Sequence, residues 1–477
     1  MRKLFGVVAS KRSCGLLIAS AIWLSVAAPL RAADPQLIAD AKAFGRRPSA
    51  QSVDISPSGR QVLTIDPGPG KSSILTIIDT STGKERAILT SGGDPEQLYW
   101  CKFATDQQLI CRFGGGAYYG NDVVGFSRLI TLDTNGQNQK LLGQRAHEHD
   151  AGLRQFDGEI LDWLPDGPGS VLMTRNYVPA VDTIGSHLGD NREGLGVDRI
   201  DLATLKSTRV ERPQLYADDY LADGRGNVRM MSFSGAGSND MTGVYSWKYR
   251  VKNSKEWLSF SDFDSRSGSG SLPIAVDAGC DCAFVLRKTN GRDALYTIKL
   301  DGTLSAQLVA NNPNVDIDGI ERFGRGQRVI GYNYTDDRGH IVYFDHEFGE
   351  LAASLGKALP NQPLINFMEA GADGSKLLII ARGDASPGTY YYFDRNTRHL
   401  DEVELIRPTL EGRTLARVQT IKVTATDGAQ IPAYLTLPIN RSPRNMPAVV
   451  LPHGGPSARD DWGLTGWRSS LPRAAMR

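Results

Sequence analysis

Val53-Asp54-Ile55-Ser56-Pro57-Ser58-Gly59-Arg60-Gln61-Val62-Leu63-Thr64-Ile65 is the stretch whose reading decides the fold. An apolar strand start runs into a Ser-Pro-Ser-Gly turn, and a strongly apolar strand leaves it. Proline and glycine supply the fixed and the positive φ values that tight turns need. A further strand, Leu75-Thr76-Ile77-Ile78-Asp79, closes on the turn Thr82-Gly83. The unit then recurs in weaker copies. Asp162-Trp163-Leu164-Pro165-Asp166-Gly167 precedes Ser170-Val171-Leu172-Met173, and Ala222-Asp223-Gly224-Arg225-Gly226 precedes Val228-Arg229-Met230. Ala294-Leu295-Tyr296-Thr297-Ile298 ends at Leu300-Asp301-Gly302, and Ala372-Asp373-Gly374-Ser375 precedes Leu377-Leu378-Ile379-Ile380. Units start near residues 51, 94, 153, 215, 270, 317 and 364. Their spacing of about 40 to 60 residues is that of propeller blades. A four-stranded unit cannot bury both faces alone, so such units stack around an axis. The expected fold is mainly β, an about seven-bladed β-propeller over residues 51–415, with a stack of β-sandwiches as the alternative. Helical periodicity is confined to an N-terminal segment, residues 34–50, where Leu37, Ile38, Ala41 and Phe44 share a face.

The first 33 residues read as a signal peptide. Arg2, Lys3, Lys11 and Arg12 form a basic start, Cys14 to Leu30 carry no charge, and Ala32-Ala33 offer a small-residue cleavage site. Export to the periplasm or the extracellular space is expected, with no membrane anchor once the peptide is removed. Cleavage takes away five basic residues and no acidic ones, so the net charge falls from +1 to −4. A mildly acidic protein has no electrostatic reason to bind nucleic acid.

Four cysteines follow the leader. Cys101 and Cys111 flank the turn Thr105-Asp106-Gln107 and face each other across two strands. A disulfide is one reading in an exported chain, and two small buried residues is the other. Cys280-Asp281-Cys282 reads as part of a strand, where i and i+2 share a face. Two sulfurs make a poor metal site, and His147-Glu148-His149-Asp150 reads as a solvated loop. No metal or cofactor is expected.

The pattern changes at Arg417. Residues 418–425 alternate as a strand, Thr426-Asp427-Gly428 turns, and residues 431–438 form a second strand. Met446-Pro447-Ala448-Val449-Val450-Leu451 is a continuous apolar run of the kind found in buried strands. It ends in Pro452-His453-Gly454-Gly455-Pro456. This order resembles the opening of the catalytic domain of prolyl oligopeptidase family serine peptidases, nearest to the acylaminoacyl-peptidase-like and dipeptidyl-peptidase-like members. The specific part of the resemblance spans about residues 421–462. It implies a propeller joined to the first strands of an incomplete α/β-hydrolase domain, residues 416–477, and short peptides as substrates.

By that resemblance, Gly455, and next to it Gly454, offers the backbone N–H of an oxyanion hole, worth ~3–4 kcal/mol in a transition state. His453 and Pro456 then shape the turn; the base of such a triad lies downstream of its serine. The sequence contains no Gly-x-Ser-x-Gly elbow. Asp384-Ala385-Ser386-Pro387-Gly388 imitates it without the first glycine, and only Asp460 and Asp461 follow His453 as acids. From Gly463 the family pattern stops. One set of codons that encodes this segment, with third bases chosen for the fit, gives in a shifted frame a family-like amphipathic helix and a Gly-Tyr strand start, so a frameshifted, truncated product is expected. The nucleophile, acid and base are then absent and the chain is expected to be inactive. The competing function is a non-catalytic propeller that binds peptides or proteins.

Overall fold

The computed structural model describes residues 35–143, 150–167, 169–180, 192–235, 242–361, 363–439, 444–455 and 459–464. Seven successive sheets open with the strands Val53–Ile55, Gln97–Phe103, Ile160–Asp162, Ala217–Ala222, Leu272–Asp277, Ile317–Phe323 and Leu364–Ala370. Six of them begin within three residues of the repeat start read from the sequence, and the third begins seven residues after it. The seven sheets are the blades of a propeller, numbered here in chain order.

Each blade runs outward from its first strand through antiparallel neighbours, and among the described residues no blade borrows a strand from another. The second strands are buried along most of their length, as in Gln61–Pro67, Val228–Ser234 and Lys376–Arg382. They lie between two neighbouring blades, so both faces are covered and the apolar run need not alternate. The outer strands Glu85–Ser91 and Ser207–Gln214 face solvent and are mostly exposed. Leu63, Ile65 and Leu75 of blade 1 pack with Leu98, Phe103 and Leu109 of blade 2, and comparable clusters fill the other joints.

Because no strand is shared, side chains and a few backbone bonds join the last blade to the first. Ile55 and Val62 pack against Leu378 and Tyr392. The amide of Ser49 donates to Ile406 O at 2.8 Å, and that of Ala372 to Pro57 O at 2.6 Å. Where the first-to-second strand turns converge, Arg325 of blade 6 crosses to other blades. Its guanidinium donates to Ile55 O at 2.7 Å, to Phe103 O, and to Asp54 Oδ2 at 3.3 Å. Gly224 of blade 4 sits so close to blade 6 that a Cβ would lie 2.0 Å from Gly326 O. Its φ of +71° also favours glycine. Burial, and then the neighbouring Asp54, push Glu369 up to about 7.

Among the described residues two α-helices accompany the ring. α1 (Pro35–Gly45) presents Ala43 and Phe44 to Leu410 and Leu415, the segment that leaves blade 7. α2 (His346–Ala358) stands where blade 6 would have a fourth strand. The sequence reading missed it. Its signals are Asp345, whose side chain caps Glu347 N at 3.0 Å, and Phe348, Leu351, Ala352 and Leu355 at helical spacing. Among the described residues no helix is long and apolar enough to cross a membrane.

Candidate functional site

The two strands expected after Arg417 form a hairpin, Val418–Thr424 with Gln430–Thr436. It stands on the face where the second-to-third strand turns emerge. Thr420 Oγ1 donates to Asp337 Oδ2 at 3.2 Å, and Tyr434 OH to Asp337 O at 3.0 Å. Arg338 lies over the Trp462 ring at 4.9 Å, and Arg459 donates to Thr335 O at 2.9 Å. Thus the turn of blade 6 holds both the hairpin and the segment after the His-Gly-Gly turn. Asp384 of blade 7, 3% exposed, fixes the base of the hairpin by accepting from Val418 N and Arg417 Nη1, each at 3.0 Å. That is the place in the fold of the Asp384–Gly388 segment. A cavity of about 850 Å³ opens here, lined by Arg338, Asn361, Asp384, Arg417, Thr420 and Trp462.

The run 446–451 departs from expectation. It forms no strand, and Val449, Val450 and Leu451 are 65%, 84% and 50% exposed. No neighbouring strand among the described residues offers it hydrogen bonds, and an apolar sequence cannot make a sheet alone. His453, Gly454 and Gly455 are exposed. Gly455 has a φ of +113°, a backbone conformation that favours glycine, and a Cβ on Gly454 would meet nothing within 4 Å. His453 Nδ1 lies 2.8 Å from Gly454 O. Pro456 lies outside the described residues, as do His147, Glu148 and His149. Among the described histidines, His340, His399 and His346 face the carboxylates Asp336, Asp401 and Glu350, and none hydrogen-bonds a serine hydroxyl.

Sequence reading missed a second cavity, of about 320 Å³, between blades 2 and 3. Tyr99, Trp100, Phe126 and Phe156 wall it. Arg112 enters it, donating to Glu159 and to Ser127 Oγ at 3.0 Å. It lies beside the long hairpin Gln108–Tyr119 with Asp122–Asp133. The sequence signal is Gly114-Gly115-Gly116. A Cβ on Gly115 would stand 1.8 Å from Pro95 O, so only glycine admits this approach. Deeper in the ring, Asp219 of blade 4 and Arg322 of blade 6 reach solvent. The surrounding protein nevertheless pushes Asp219 up and Arg322 down.

The cysteines pair within the ring. Cys101 and Cys111 are register partners in blade 2 and form a disulfide, with both residues fully buried and Cα atoms 4.0 Å apart. Cys280 is not in a strand as read. It and Asp281 occupy the turn after Leu272–Asp277, and Cys282 opens the next strand. Asp281 at φ +49° turns the chain, and the two sulfurs are bonded.

No family model matches the chain. It is 23% identical over 454 residues to dipeptidyl aminopeptidase BIII of Pseudoxanthomonas mexicana, an alignment covering 92% of this chain. The chain is similar to peptidases of the prolyl oligopeptidase type. It spans 60% of the length of that aminopeptidase. Solved structures of peptidases of that type share the fold. A Mycobacterium tuberculosis puromycin-hydrolyzing peptidase matches at a TM-score of 0.53 with 15% identity, covering 92% of this chain and 66% of that one. The Pyrococcus horikoshii acylaminoacyl peptidase matches at 0.53 with 10% identity, covering 91% and 65%. At these identities the family's structures speak for the fold alone.

Proposed function

We propose that this chain carries the propeller and the oxyanion-hole turn of a serine-type peptidase acting on short peptides, and that the chain alone does not hydrolyse them. The carrying observation is the His453-Gly454-Gly455 turn, with Gly455 at φ +113°, which lies in the chain between the hairpin of residues 418–436 and the Arg459–Trp462 segment, both of which contact the turn of blade 6. A backbone N–H there would face an incoming carbonyl, and the ring would limit which peptides reach it. The similarity to a dipeptidyl aminopeptidase supports a peptide substrate. Hydrolysis needs an activated nucleophile beside a base, and the described residues bring no such pair together. Two disulfides and the basic, then apolar, leader support export to an oxidising compartment.

A fluorophosphonate probe tests the non-hydrolytic part. The purified chain is expected to stay unlabelled, and to leave dipeptidyl and acylaminoacyl chromogenic substrates intact. Serine labelling with turnover would overturn it. The second reading, a non-catalytic peptide-binding module, is favoured by the aromatic cavity around Trp100 and Arg112. Peptide-dependent quenching of tryptophan fluorescence, lost in Trp100→Phe, would support it; no quenching by any short peptide would count against it.

A further inference from the structure

The two disulfides differ in what can reach them. Cys101 and Cys111 are both fully buried. In the other pair Cys282 is 1% exposed, while Cys280 stands half-buried in a surface turn. Thiol–disulfide exchange requires a thiolate to reach a sulfur, so the accessible bridge is the one that exchanges. This bridge also joins residues only two positions apart. Closing so short a loop takes little entropy from the unfolded chain. Its consequence lies in the turn it holds.

That turn presents Asp281. The carboxylate accepts from Arg229 Nη1 at 2.7 Å, and Arg229 is 2% exposed. Arg229 belongs to blade 4. Its remaining bonds run to Arg250 O at 2.9 Å in the same blade and to Leu300 O at 3.4 Å in blade 5. The amide of Leu300 in turn donates to Asp281 O at 3.0 Å, and Lys299 Nζ to Cys280 O at 2.7 Å. Asp281 keeps a positive φ between two bonded sulfurs, and it is the carboxylate that pairs this buried guanidinium. A buried charge that loses its partner destabilises what surrounds it.

We propose that Cys280–Cys282 is a site of thiol–disulfide exchange with an external dithiol, and that its redox state sets the firmness of the joint between blades 4 and 5. One thiolate of the dithiol attacks Cys280 Sγ, the bond to Cys282 breaks, and Cys282 leaves as thiolate. The second thiol of the reagent attacks the mixed disulfide, releasing Cys280. Two electrons and two protons pass to the cysteines, and the dithiol becomes a disulfide. The freed turn relaxes, and Asp281 withdraws from Arg229.

The test uses the whole purified chain under native conditions. Graded dithiothreitol is followed by N-ethylmaleimide trapping and peptide mapping. Cys280 and Cys282 are expected to label at a reductant concentration at least roughly tenfold below that needed for Cys101 and Cys111. Amide exchange at residues 229–231 and 298–300 is expected to rise roughly threefold or more on that first reduction. Cys280→Ala/Cys282→Ala shows the fast exchange with and without reductant. Asp281→Asn shows the fast exchange before reduction as well as after it, and it keeps the test decisive if the double variant does not fold. Free thiols at both positions in air-oxidised protein, joint reduction of the two bridges, or unchanged exchange after reduction would each overturn the proposal.

Discussion

Two apolar β-type runs in this chain meet opposite fates. In blade 1, Leu63, Ile65 and Leu75 are fully buried, because blades 2 and 7 cover both faces of their sheet. In the tail, Val449, Val450 and Leu451 form an equally apolar run and lie open to solvent. The two runs differ in neighbours more than in composition. A strand buries its side chains only where another sheet or helix packs on it, and the ring supplies such a partner at every joint. The hairpin of residues 418–436 lies between these extremes. Polar groups of blades 6 and 7 hold its base, while Val423 and Ile431 are 47% and 52% exposed.

The largest expected effect tests how firmly the ring is tied. Arg325→Ala takes from Asp54 its ion-pair partner, leaving it the Phe103 amide, and removes the bonds to Ile55 O and Phe103 O; breaking a buried ion pair of this kind costs on the order of 3–5 kcal/mol. Urea denaturation measures it, and a loss below about 1 kcal/mol would show that the convergence of turns is not a structural hub. Replacing both Cys101 and Cys111 with alanine is expected to cost about 2–3 kcal/mol, from the loop the bridge closes. The same loss should appear in wild-type protein only after strong reduction, since both sulfurs are buried.

A third effect concerns pH at the joint between blades 7 and 1. Burial, and then Asp66 beside it, push Glu404 up to about 8 from an ordinary 4.5, with Glu85 adding to the negative field. A carboxyl whose folded pKa is raised favours the protonated native state. Its contribution is therefore complete below pH about 4.5 and is lost as pH climbs toward about 8. Thermal unfolding between those limits should show stability falling with pH, and Glu404→Gln should flatten the slope. An unchanged slope in the variant would place the titration elsewhere. The smallest effect belongs to the tail: Val450→Asp should change unfolding free energy by less than about 0.5 kcal/mol, as at ordinary surface positions. A loss above about 1 kcal/mol would mean that the run is covered, which would erase the contrast with blade 1.

Much of the ring was legible in the sequence because blade structure is local. Turn chemistry at Ser56-Pro57-Ser58-Gly59 and Asp373-Gly374, with the apolar strand after each, marks a blade without reference to its neighbours. The hairpin around Asp427-Gly428 was legible for the same reason. α2 was overlooked although Asp345 and the spacing of Phe348, Leu351 and Leu355 were available; strand patterns on either side masked a helix of 13 residues. The Cys280 turn was misread because i and i+2 share a face in a strand, while Asp281 at positive φ turns the chain instead. The aromatic cavity joins Tyr99 to Phe156, and no short window of sequence holds both.

The sequence by itself determined seven β units, their order and the starts of six of them to within three residues, together with the His453-Gly454-Gly455 turn. These depend on φ preferences and on apolar patterning, which act between near neighbours along the chain. Tertiary structure alone decided that Arg325 ties blade 6 to blades 1 and 2, that Asp281 pairs with Arg229, and that residues 449–451 stay exposed. Charge pairing and burial depend on which surfaces meet in space, and positions 271 residues apart, such as Asp54 and Arg325, meet only once the ring has closed.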